Sequence, residues 1–368
     1  MKIILDLNRY WKNDIHGEDL SYYEFYKKGM AGSWLYHFIE LTKSLPIEVI
    51  LAEEYLEKKE FSQQDVIISE RRTPNTPALL LTGACPLVVY TGEPPNADWR
   101  FYSNIYKNTK PYKHAFLFSG SQKYISKNVT FHLVYWPNNE RSDIVESLLA
   151  SSEHPRKKLV MVSGNNKQAY ALFARNPYSL KSIIRKIRAK WTPAIKFVNL
   201  FPLRMEAIVH FSHKDYFDLY GRGWDNHHFL TKEESEAVKR LKPKQIDNKD
   251  LVVSQYQFSL CFENTIYPGY VTEKIFDCFL SRCIPIYYGA PNIDEYVPVN
   301  TFIDMRNFKD FKELAFFLEN ISENKIDEYL CNINEFLKSD GFLKCTDQYF
   351  ANELFHIVHA SCLANINL

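Results

Sequence analysis

The chain has 368 residues, 46% of them hydrophobic, which is enough for about two packed domains. Its formal net charge of +1 provides no overall attraction to nucleic acid, and no nucleic-acid-binding motif is present. No run of about 18 apolar residues occurs, so the sequence predicts no membrane-spanning helix. The start "MKIILDLNRYW" is too short and too charged for the apolar part of a signal peptide, which favours a cytoplasmic location.

Short apolar runs alternate with amphipathic stretches along the chain, a pattern typical of parallel α/β layers. The strands predicted in the first part are "KIILDL", "IEVILA", "DVIIS", "LVVYTG" and "HAFLF". Those predicted in the second part are "KLVMVSG", "YFDLYGRG", "QFSLCFEN", "IPIYYG" and "TFIDM", although Pro285 is unusual in a central strand. We predict α/β domains over residues 1–150 and 151–342, a C-terminal helical tail over 343–368, and a ligand cleft between the domains.

The first part of the second predicted domain is strongly basic. Residues 154–205 contain twelve Lys or Arg and neither Asp nor Glu. Within them, residues 178–191 have the pattern of a basic amphipathic helix, which suits an anionic membrane surface or a lipid-linked acceptor. An ordinary solvated helix explains the same pattern. The sequence therefore leaves open whether the protein attaches to the inner face of the membrane.

The stretch "FSLCFENTIYPGYVTEKIFDCFLSR" reads as a buried strand, a loop and a helix. The strand ends in Glu263 and Asn264, whose polar groups are expected to reach the cleft. Thr272 is expected to cap the helix. The apolar residues of the helix predict a buried stripe, which leaves Glu273 and Lys274 at the mouth of the cleft. A lysine at the positive end of a helix dipole indicates a nearby anion, and a phosphate fits best. The alternative is an ordinary surface pair of glutamate and lysine.

The stretch "FENTIYPGYVTEKIFDCFLSRCIPIYYGAPNIDEYVP" resembles the donor-binding signature of the alpha-1,3/4-fucosyltransferases, glycosyltransferase family 10. The segments "LVVYTGE" and "YFDLYGRG" also resemble parts of that family, in the same order along the chain. The resemblance implies the GT-B fold, two Rossmann-like domains facing across a cleft, with the acceptor bound by the first and the nucleotide sugar by the second. It further implies inverting transfer of L-fucose from GDP-fucose to a saccharide, as in bacterial surface-glycan or lipopolysaccharide synthesis.

The resemblance also implies which residues bind the donor. The positions that match donor-contacting residues of the family are Asn264, Tyr270, Glu273 and Lys274. Lys274 would face the diphosphate, and Glu273 would hold hydroxyls of the ribose or the fucose. A donor-binding arginine of the family has its nearest counterpart in Arg204, with Arg222 as the second choice.

Displacement of GDP needs a base that activates the acceptor hydroxyl. In "PLVVYTGEPPNADWR", Glu93 follows a predicted buried strand and a glycine, and the resemblance implies a base in an equivalent Gly-Glu pair. A partly apolar cleft would raise the pKa of Glu93 and help it accept a proton near neutral pH. Asp98 is the alternative base, and a loop glutamate without a catalytic role is the alternative reading of Glu93.

Neither a metal ion nor another cofactor is expected. No two aspartates lie two positions apart, so the D-x-D motif for a metal is missing, and the adjacent His227 and His228 point in different directions. Two other functions stay open: transfer from a different GDP-sugar, and a non-catalytic relative that binds a sugar nucleotide or a glycan. A panel of donors would separate the first from the fucosyltransferase.

Overall fold

The computed structural model of the chain describes residues 1–7, 33–135, 157–164, 194, 196–225, 230–246 and 248–366. Tertiary contacts divide the chain into two units, the first comprising Met1–Glu140 with Leu343–Leu368 and the second Arg141–Phe342. The predicted domain boundary near residue 150, the basic segment 178–191 and the two adjacent histidines lie outside the described residues.

The described elements of the first unit alternate between strands and helices. In chain order they are β1 Lys2–Asp6, α1 Ser33–Thr42, β2 Glu48–Leu51, α2 Ala52–Lys58, β3 Val66–Glu70, α3 Thr76–Leu79, β4 Cys85–Tyr90, α4 Trp99–Tyr102, α5 Ile105–Thr109, β5 His114–Leu117, a 3₁₀ helix Ser119–Tyr124, β6 Thr130–Leu133 and, at the far end of the chain, α13 Asp347–Ile366.

The described strands of the first unit form a parallel sheet in the order β2-β1-β3-β4-β5-β6. The central strand β3 reads "VIISE", and all five of its residues are buried, as expected for a strand covered on both faces. The order of strands reverses between β1 and β3. In open parallel sheets, ligands bind beyond the carboxyl ends of the strands at such a reversal.

The second unit begins its described part with a strand and ends with a run of helices. In chain order its elements are β7 Lys157–Val162, β8 Val198–Asn199, α6 Phe201–Phe211, β9 Phe217–Tyr220, α7 Lys232–Leu241, α8 Lys249–Val253, β10 Tyr256–Phe262, β11 Thr265–Ile266, α9 Glu273–Leu280, β12 Ile284–Tyr288, β13 Ile303–Asp304, α10 Phe311–Asn320, α11 Glu323–Leu337 and α12 Asp340–Leu343, with 3₁₀ helices at Ile293–Glu295, Val299–Thr301 and Met305–Asn307.

The main described sheet of the second unit is also parallel, in the order β13-β12-β10-β7-β9. Its strands, ranked along the chain, have the same order as β1 to β5 of the first sheet. The reversal lies between β7 and β10, so the carboxyl end of β10 is a position where a ligand is expected. Pro285 is the second residue of β12 and lies opposite Ser259 of β10, which confirms the predicted strand despite the proline.

The end of the chain packs against its beginning. Helix α13 contacts α1, and the buried ring of Phe350 lies 5.2 Å from the ring of Trp34 between centroids. The predicted tail is therefore part of the first unit's core. Although α13 has 20 residues, neither it nor any other helix in the described part of the chain is apolar enough to cross a membrane.

Candidate functional site

Three of the predicted donor-binding residues meet at the end of β10. Arg204 is carried by α6, is 9% exposed, and donates from Nη2 to the carbonyl of Phe262 and, at 2.9 Å, to Oδ1 of Asn264. Asn264 donates in turn from Nδ2 to the hydroxyl of Tyr270 at 3.3 Å. Burial lowers the pKa of the Arg204 guanidinium, and the nearby Glu263 opposes that effect. Arg204 therefore brings a buried cation to the expected ligand position.

Glu263 is fully buried, so the expectation that its carboxylate reaches a cleft is wrong. The backbone N–H of Thr272 donates to its Oε1 at 2.8 Å, and the hydroxyl of Thr272 donates to its Oε2 at 2.9 Å. The ammonium of Lys274 lies 3.3 Å from the same Oε2. A carboxylate can be this deeply buried because hydrogen bonds and a cation satisfy it.

The start of α9 lacks the cap that the sequence predicts. Thr272 occupies the N-cap position, but its hydroxyl accepts no hydrogen bond from a backbone N–H of the first turn of the helix. The hydroxyl is instead directed to Glu263, as described above. A helix start without a side-chain cap keeps backbone N–H groups available for an anion, and the helix dipole favours negative charge there.

Lys274 is held by three oxygen groups of the protein. Its Nζ donates to the hydroxyl of Thr272 at 2.8 Å and lies 3.3 Å from carboxylate oxygens of Glu263 and Glu273. Burial lowers the pKa of Lys274, but the two carboxylates outweigh that effect and raise it overall. The anion that the sequence argument required is thus present in the protein itself, as Glu263. The Lys274 side chain is still 22% exposed, so it can also meet a ligand.

Glu273 is the more exposed of the two carboxylates that contact Lys274, with 40% of its side chain accessible. Burial raises its pKa, but Lys274 and Lys249 outweigh burial and lower it to about 2. Lys249 is carried by α8 and donates to Asp277 of α9 at 2.6 Å. Sequence reasoning missed this lysine, because its position next to Glu273 follows only from the packing of α8 against α9.

Gly289, which follows β12, leaves the space that the buried side chain of Glu263 occupies. A Cβ added at this position would lie 2.5 Å from Cγ of Glu263 and 2.5 Å from the hydroxyl of Tyr287. The groups that come closest to this glycine are thus two buried side chains. Arg222, the second choice for the donor arginine, is exposed in the loop after β9, whereas Arg204 belongs to the cluster.

In the first unit, Glu93 lies in the loop after β4. Its backbone N–H donates to the hydroxyl of Thr91 at 3.1 Å, and the hydroxyl of Tyr102 donates to its carbonyl at 2.9 Å. These two contacts fix the backbone of a half-buried glutamate at the carboxyl end of a parallel strand. Such a position is suited to a group that acts on a ligand.

Asp98, the alternative base, has other partners. Its carboxylate caps α4 by accepting from the N–H of Phe101 at 3.3 Å, and it lies 3.6 Å from Nε of Arg71. Burial raises the pKa of Asp98, and Arg71 opposes that effect. The carboxylate of Asp98 is therefore engaged both in a helix cap and in an ion pair.

Among the described residues, no group of three or more His, Cys, Asp or Glu side chains is placed to hold a metal ion. The cations that the described part of the second unit brings to the end of β10 and the start of α9 are Arg204, Lys249 and Lys274. They can offer a ligand positive charge without any further group.

Comparisons with known proteins match these features. Residues 192–347 match the family model described as glycosyltransferase family 10 (fucosyltransferase) C-term. The chain is 41% identical over 89 residues to the Alpha-(1,3)-fucosyltransferase FucT of Helicobacter pylori, covering 24% of this chain and 19% of the relative. It is 34% identical over 93 residues to an Alpha-(1,4)-fucosyltransferase of Arabidopsis thaliana, covering 25% of this chain and 23% of the relative. The matches thus span less than a quarter of these relatives.

Solved structures are similar over nearly the whole chain. A crystal structure of an alpha1,3-fucosyltransferase with GDP-fucose aligns with a TM-score of 0.53 and 18% identity, covering 97% of this chain and 90% of that one. A second structure of an alpha1,3-fucosyltransferase gives a TM-score of 0.54 and 17% identity over the same shares. At this identity the similarity concerns the fold, and it confirms the predicted GT-B class with two Rossmann-like α/β domains.

Proposed function

Because residues 192–347 match the family model of glycosyltransferase family 10 (fucosyltransferase) C-term, we propose that the protein transfers L-fucose from GDP-fucose to a hydroxyl of a saccharide acceptor. The observation that carries the proposal is the cluster of Arg204, Asn264 and Tyr270 beside the uncapped start of α9 and Lys274. It combines the cations Arg204 and Lys274 with the start of a helix, at the strand reversal where ligands bind in such sheets.

In this proposal the protein itself neutralises the leaving diphosphate, and no metal ion is needed. Lys274 and the first turn of α9 hold the phosphate oxygens, and Arg204 adds a second positive charge from beneath the site. Glu263 cannot move away from Lys274, because it is fully buried and bonded to Thr272. Glu273 is more exposed, so it exchanges its contact with Lys274 for a contact with a sugar hydroxyl when the diphosphate arrives.

Glu93 is the proposed base. It takes the proton of the acceptor hydroxyl while that oxygen forms the new bond to the anomeric carbon and GDP departs from the opposite face. This displacement inverts the anomeric configuration. The fixed backbone of Glu93 supports the assignment, and the involvement of Asp98 in a cap and an ion pair makes Asp98 the weaker candidate.

The test compares Glu93→Gln with Asp98→Asn, measuring kcat with GDP-fucose and the affinity for GDP. Glu93→Gln keeps the shape of the side chain but cannot take a proton, so we expect kcat to fall by about 10²–10⁴-fold. Its GDP affinity should be close to that of the original protein, because the proposed donor residues belong to the second unit. Loss of kcat in Asp98→Asn with a normal rate in Glu93→Gln would move the base to Asp98.

The acceptor we propose is a glycan of bacterial surface or lipopolysaccharide type, in line with the resemblance to bacterial members of the family. The segment 178–191 is proposed to hold the enzyme at the cytoplasmic membrane surface through its basic residues. Co-sedimentation with liposomes should then increase with the fraction of anionic lipid and decrease with salt, because exposed charges are screened. Equal pelleting with neutral and anionic vesicles would contradict this attachment.

A further inference from the structure

The turn between β11 and α9 carries Tyr270, a member of the cluster at the end of β10. The backbone N–H of Tyr270 donates to the carbonyl of Tyr267 at 3.0 Å, which closes a turn of four residues. Pro268 is the second of these residues, and Gly269 is the third, with φ of 79°. This is the pattern of a type II turn, whose third residue needs a positive φ and is therefore most often glycine.

The backbone N–H of Gly269 is bound by a side chain from another loop. It donates to Oδ1 of Asn292 at 2.8 Å. Gly269 is buried, and a buried backbone N–H needs such a partner, because it has given up its hydrogen bonds to water. Asn292 lies in the loop that follows β12, the neighbour of β10 in the sheet. It thus ties together the loops that leave two adjacent strands at their carboxyl ends.

Asn292 is itself held in place by its own loop. Its Nδ2 donates to Oε2 of Glu295 at 2.7 Å, and its carbonyl accepts from the backbone N–H of Glu295 at 3.2 Å. Arg306 donates from Nη1 to the carbonyl of Pro291, the preceding residue, at 3.0 Å. Because a carboxylate only accepts hydrogen bonds, Glu295 fixes which end of the Asn292 amide is turned to Gly269. The loop after β12 therefore gives the turn a defined support.

The contacts continue from the turn into the cluster. The hydroxyl of Tyr270 accepts from Nδ2 of Asn264 at 3.3 Å, and Oδ1 of Asn264 accepts from Arg204 at 2.9 Å. Tyr270 follows Gly269 directly, so a continuous series of covalent and hydrogen bonds joins Asn292 to Arg204. The same turn leads into α9. A shift of the turn would therefore move the Tyr270 hydroxyl and the start of the helix together.

We propose that Asn292 is a positioning residue for the nucleotide sugar, which holds the turn in the conformation that binds the donor. This inference rests on the proposed function, and Asn292 acts through Gly269 and Tyr270. Without its side chain the turn adopts the binding conformation in only a fraction of the molecules. The apparent affinity for the donor then falls by that fraction. Once the donor is bound the turn is in place, so the complex reacts at the usual rate.

The experiment measures the Kd of GDP by calorimetry, and KM and kcat with GDP-fucose, for Asn292→Ala. Loss of one hydrogen bond between neutral groups should raise both the Kd and the KM by about 2- to 10-fold, with no fall in kcat. Asn292→Leu keeps the shape of the side chain without its polar atoms, and it gives the same readout if Asn292→Ala fails to fold. An unchanged Kd in the folded variant would overturn the proposal.

A double variant that exchanges the two side-chain groups tests whether the hydrogen bond is the cause. Asn292→Asp with Glu295→Gln keeps an acceptor for the N–H of Gly269, a hydrogen bond between the two side chains, and the charge of the loop. We expect its Kd for GDP to lie within about twofold of that of the original protein. A double variant that bound GDP as weakly as Asn292→Ala would contradict the role of this hydrogen bond.

Hydrogen exchange reports the turn directly. Protection of the Gly269 N–H should fall in Asn292→Ala and return with saturating GDP, because the bound donor restores the turn. Equal protection in the free variant and in the free original protein would overturn the proposal, since the turn would then be in place without Asn292.

Asn332→Ala is the matched control. Asn332 of α11 also uses its side-chain amide to tie an element to a loop of the same unit, since it donates to the carbonyl of Asn300 at 3.1 Å. Its removal should leave the Kd and the KM unchanged. An original protein that bound no GDP would contradict the proposed function and this inference together. GDP binding and fucose transfer by the original protein, with an unchanged Kd in Asn292→Ala, would contradict only the role of Asn292.

Discussion

The surroundings of Lys274 are compatible with both its internal ion pairs and the proposed contact with a diphosphate. An ammonium has three donors, and in the structure they face Thr272, Glu263 and Glu273. Two of these partners are fully buried and fixed, while Glu273 is partly exposed. We therefore expect a diphosphate to replace Glu273, and the contact with Glu263 to persist. The buried carboxylate then aims Lys274 at the ligand.

Replacement of Lys274 should weaken the binding of GDP through its phosphates alone. For Lys274→Ala we expect a loss of about 1.5–3 kcal/mol, or about 10- to 150-fold in Kd, the usual strength of hydrogen bonds to charged groups. The affinity for guanosine, which has no phosphate, should change little. Calorimetry with both ligands checks this, and an equal loss for the two would mean that the variant has damaged the whole site.

Two further variants make the measurement of Lys274 specific. Lys325→Ala removes an exposed lysine of the same unit, which pairs with Glu328, and should leave the GDP affinity unchanged. Lys274→Ala also leaves Glu263 buried without its cation, which is destabilising in its own right. The double variant Glu263→Gln with Lys274→Met removes both charges together. It should lose the same affinity for GDP as the single variant, if the loss comes from the phosphate contact.

At the scale of single residues, the sequence predicted which residues lie together in the site better than it predicted their hydrogen-bond and ion-pair partners. The resemblance located Arg204, Asn264 and Tyr270, and the structure joins them by hydrogen bonds. The burial of Glu263 and the ion pair of Arg71 with Asp98 could not be predicted, because each depends on atoms brought together from distant parts of the chain. A buried charge is explained only once its partners are known.

At the scale of elements, hydrophobic periodicity was a reliable guide to the site. The predicted stripe of α9 is buried: Ile275 and Phe279 are inaccessible and Leu280 is 6% exposed. Thr272 is at the predicted N-cap position of the same helix, but the predicted hydrogen bond of its hydroxyl to the helix is absent, because the hydroxyl binds Glu263 instead. Local sequence specifies that a threonine begins the helix, whereas the choice between a helix N–H and a buried carboxylate is made by tertiary packing.

The strands show the same division between local pattern and packing. All ten predicted strands are present, and the apolar runs of β3 and β10 correspond to strands with buried neighbours on both sides. The edge strand β6 was missed. Its sequence "TFHL" is half-buried or exposed throughout and has no continuous apolar run. It is a strand because β5 offers a free edge for pairing, which sequence alone does not reveal.

At the scale of the whole molecule, the C-terminal end of the chain belongs to the first unit, although it follows the second unit in sequence. The alternation of strands and helices predicted two α/β domains, and each described unit contains a parallel sheet. The predicted tail instead completes the first unit, since α13 packs against α1. These two helices are separated by about three hundred residues, and no local pattern encodes a contact over that distance.

Phe350 provides a test of this assignment, because its ring joins α13 to the core of the first sheet. The ring is 4% exposed and lies 5.2 Å from Trp34 of α1, 5.9 Å from Tyr90 of β4 and 5.4 Å from Phe116 of β5, between centroids. Phe350→Ala removes these contacts and leaves a cavity, which should reduce the stability of the first unit by about 3–5 kcal/mol. Denaturant unfolding and hydrogen exchange measure this loss.

The location of the loss is the decisive part of that measurement. Amide protection should fall in α1, β4 and β5, although they are far from Phe350 in sequence, because local opening follows the contacts that hold a unit together. Protection in β10 and α9, and the affinity for GDP, should stay as they are. Phe316→Ala is the control: its ring is 68% exposed on α10, so its removal should change stability by no more than about 0.5 kcal/mol. If Phe350→Ala lowered protection in β10 and α9 instead, the end of the chain would stabilise the second unit, and its assignment to the first would be wrong.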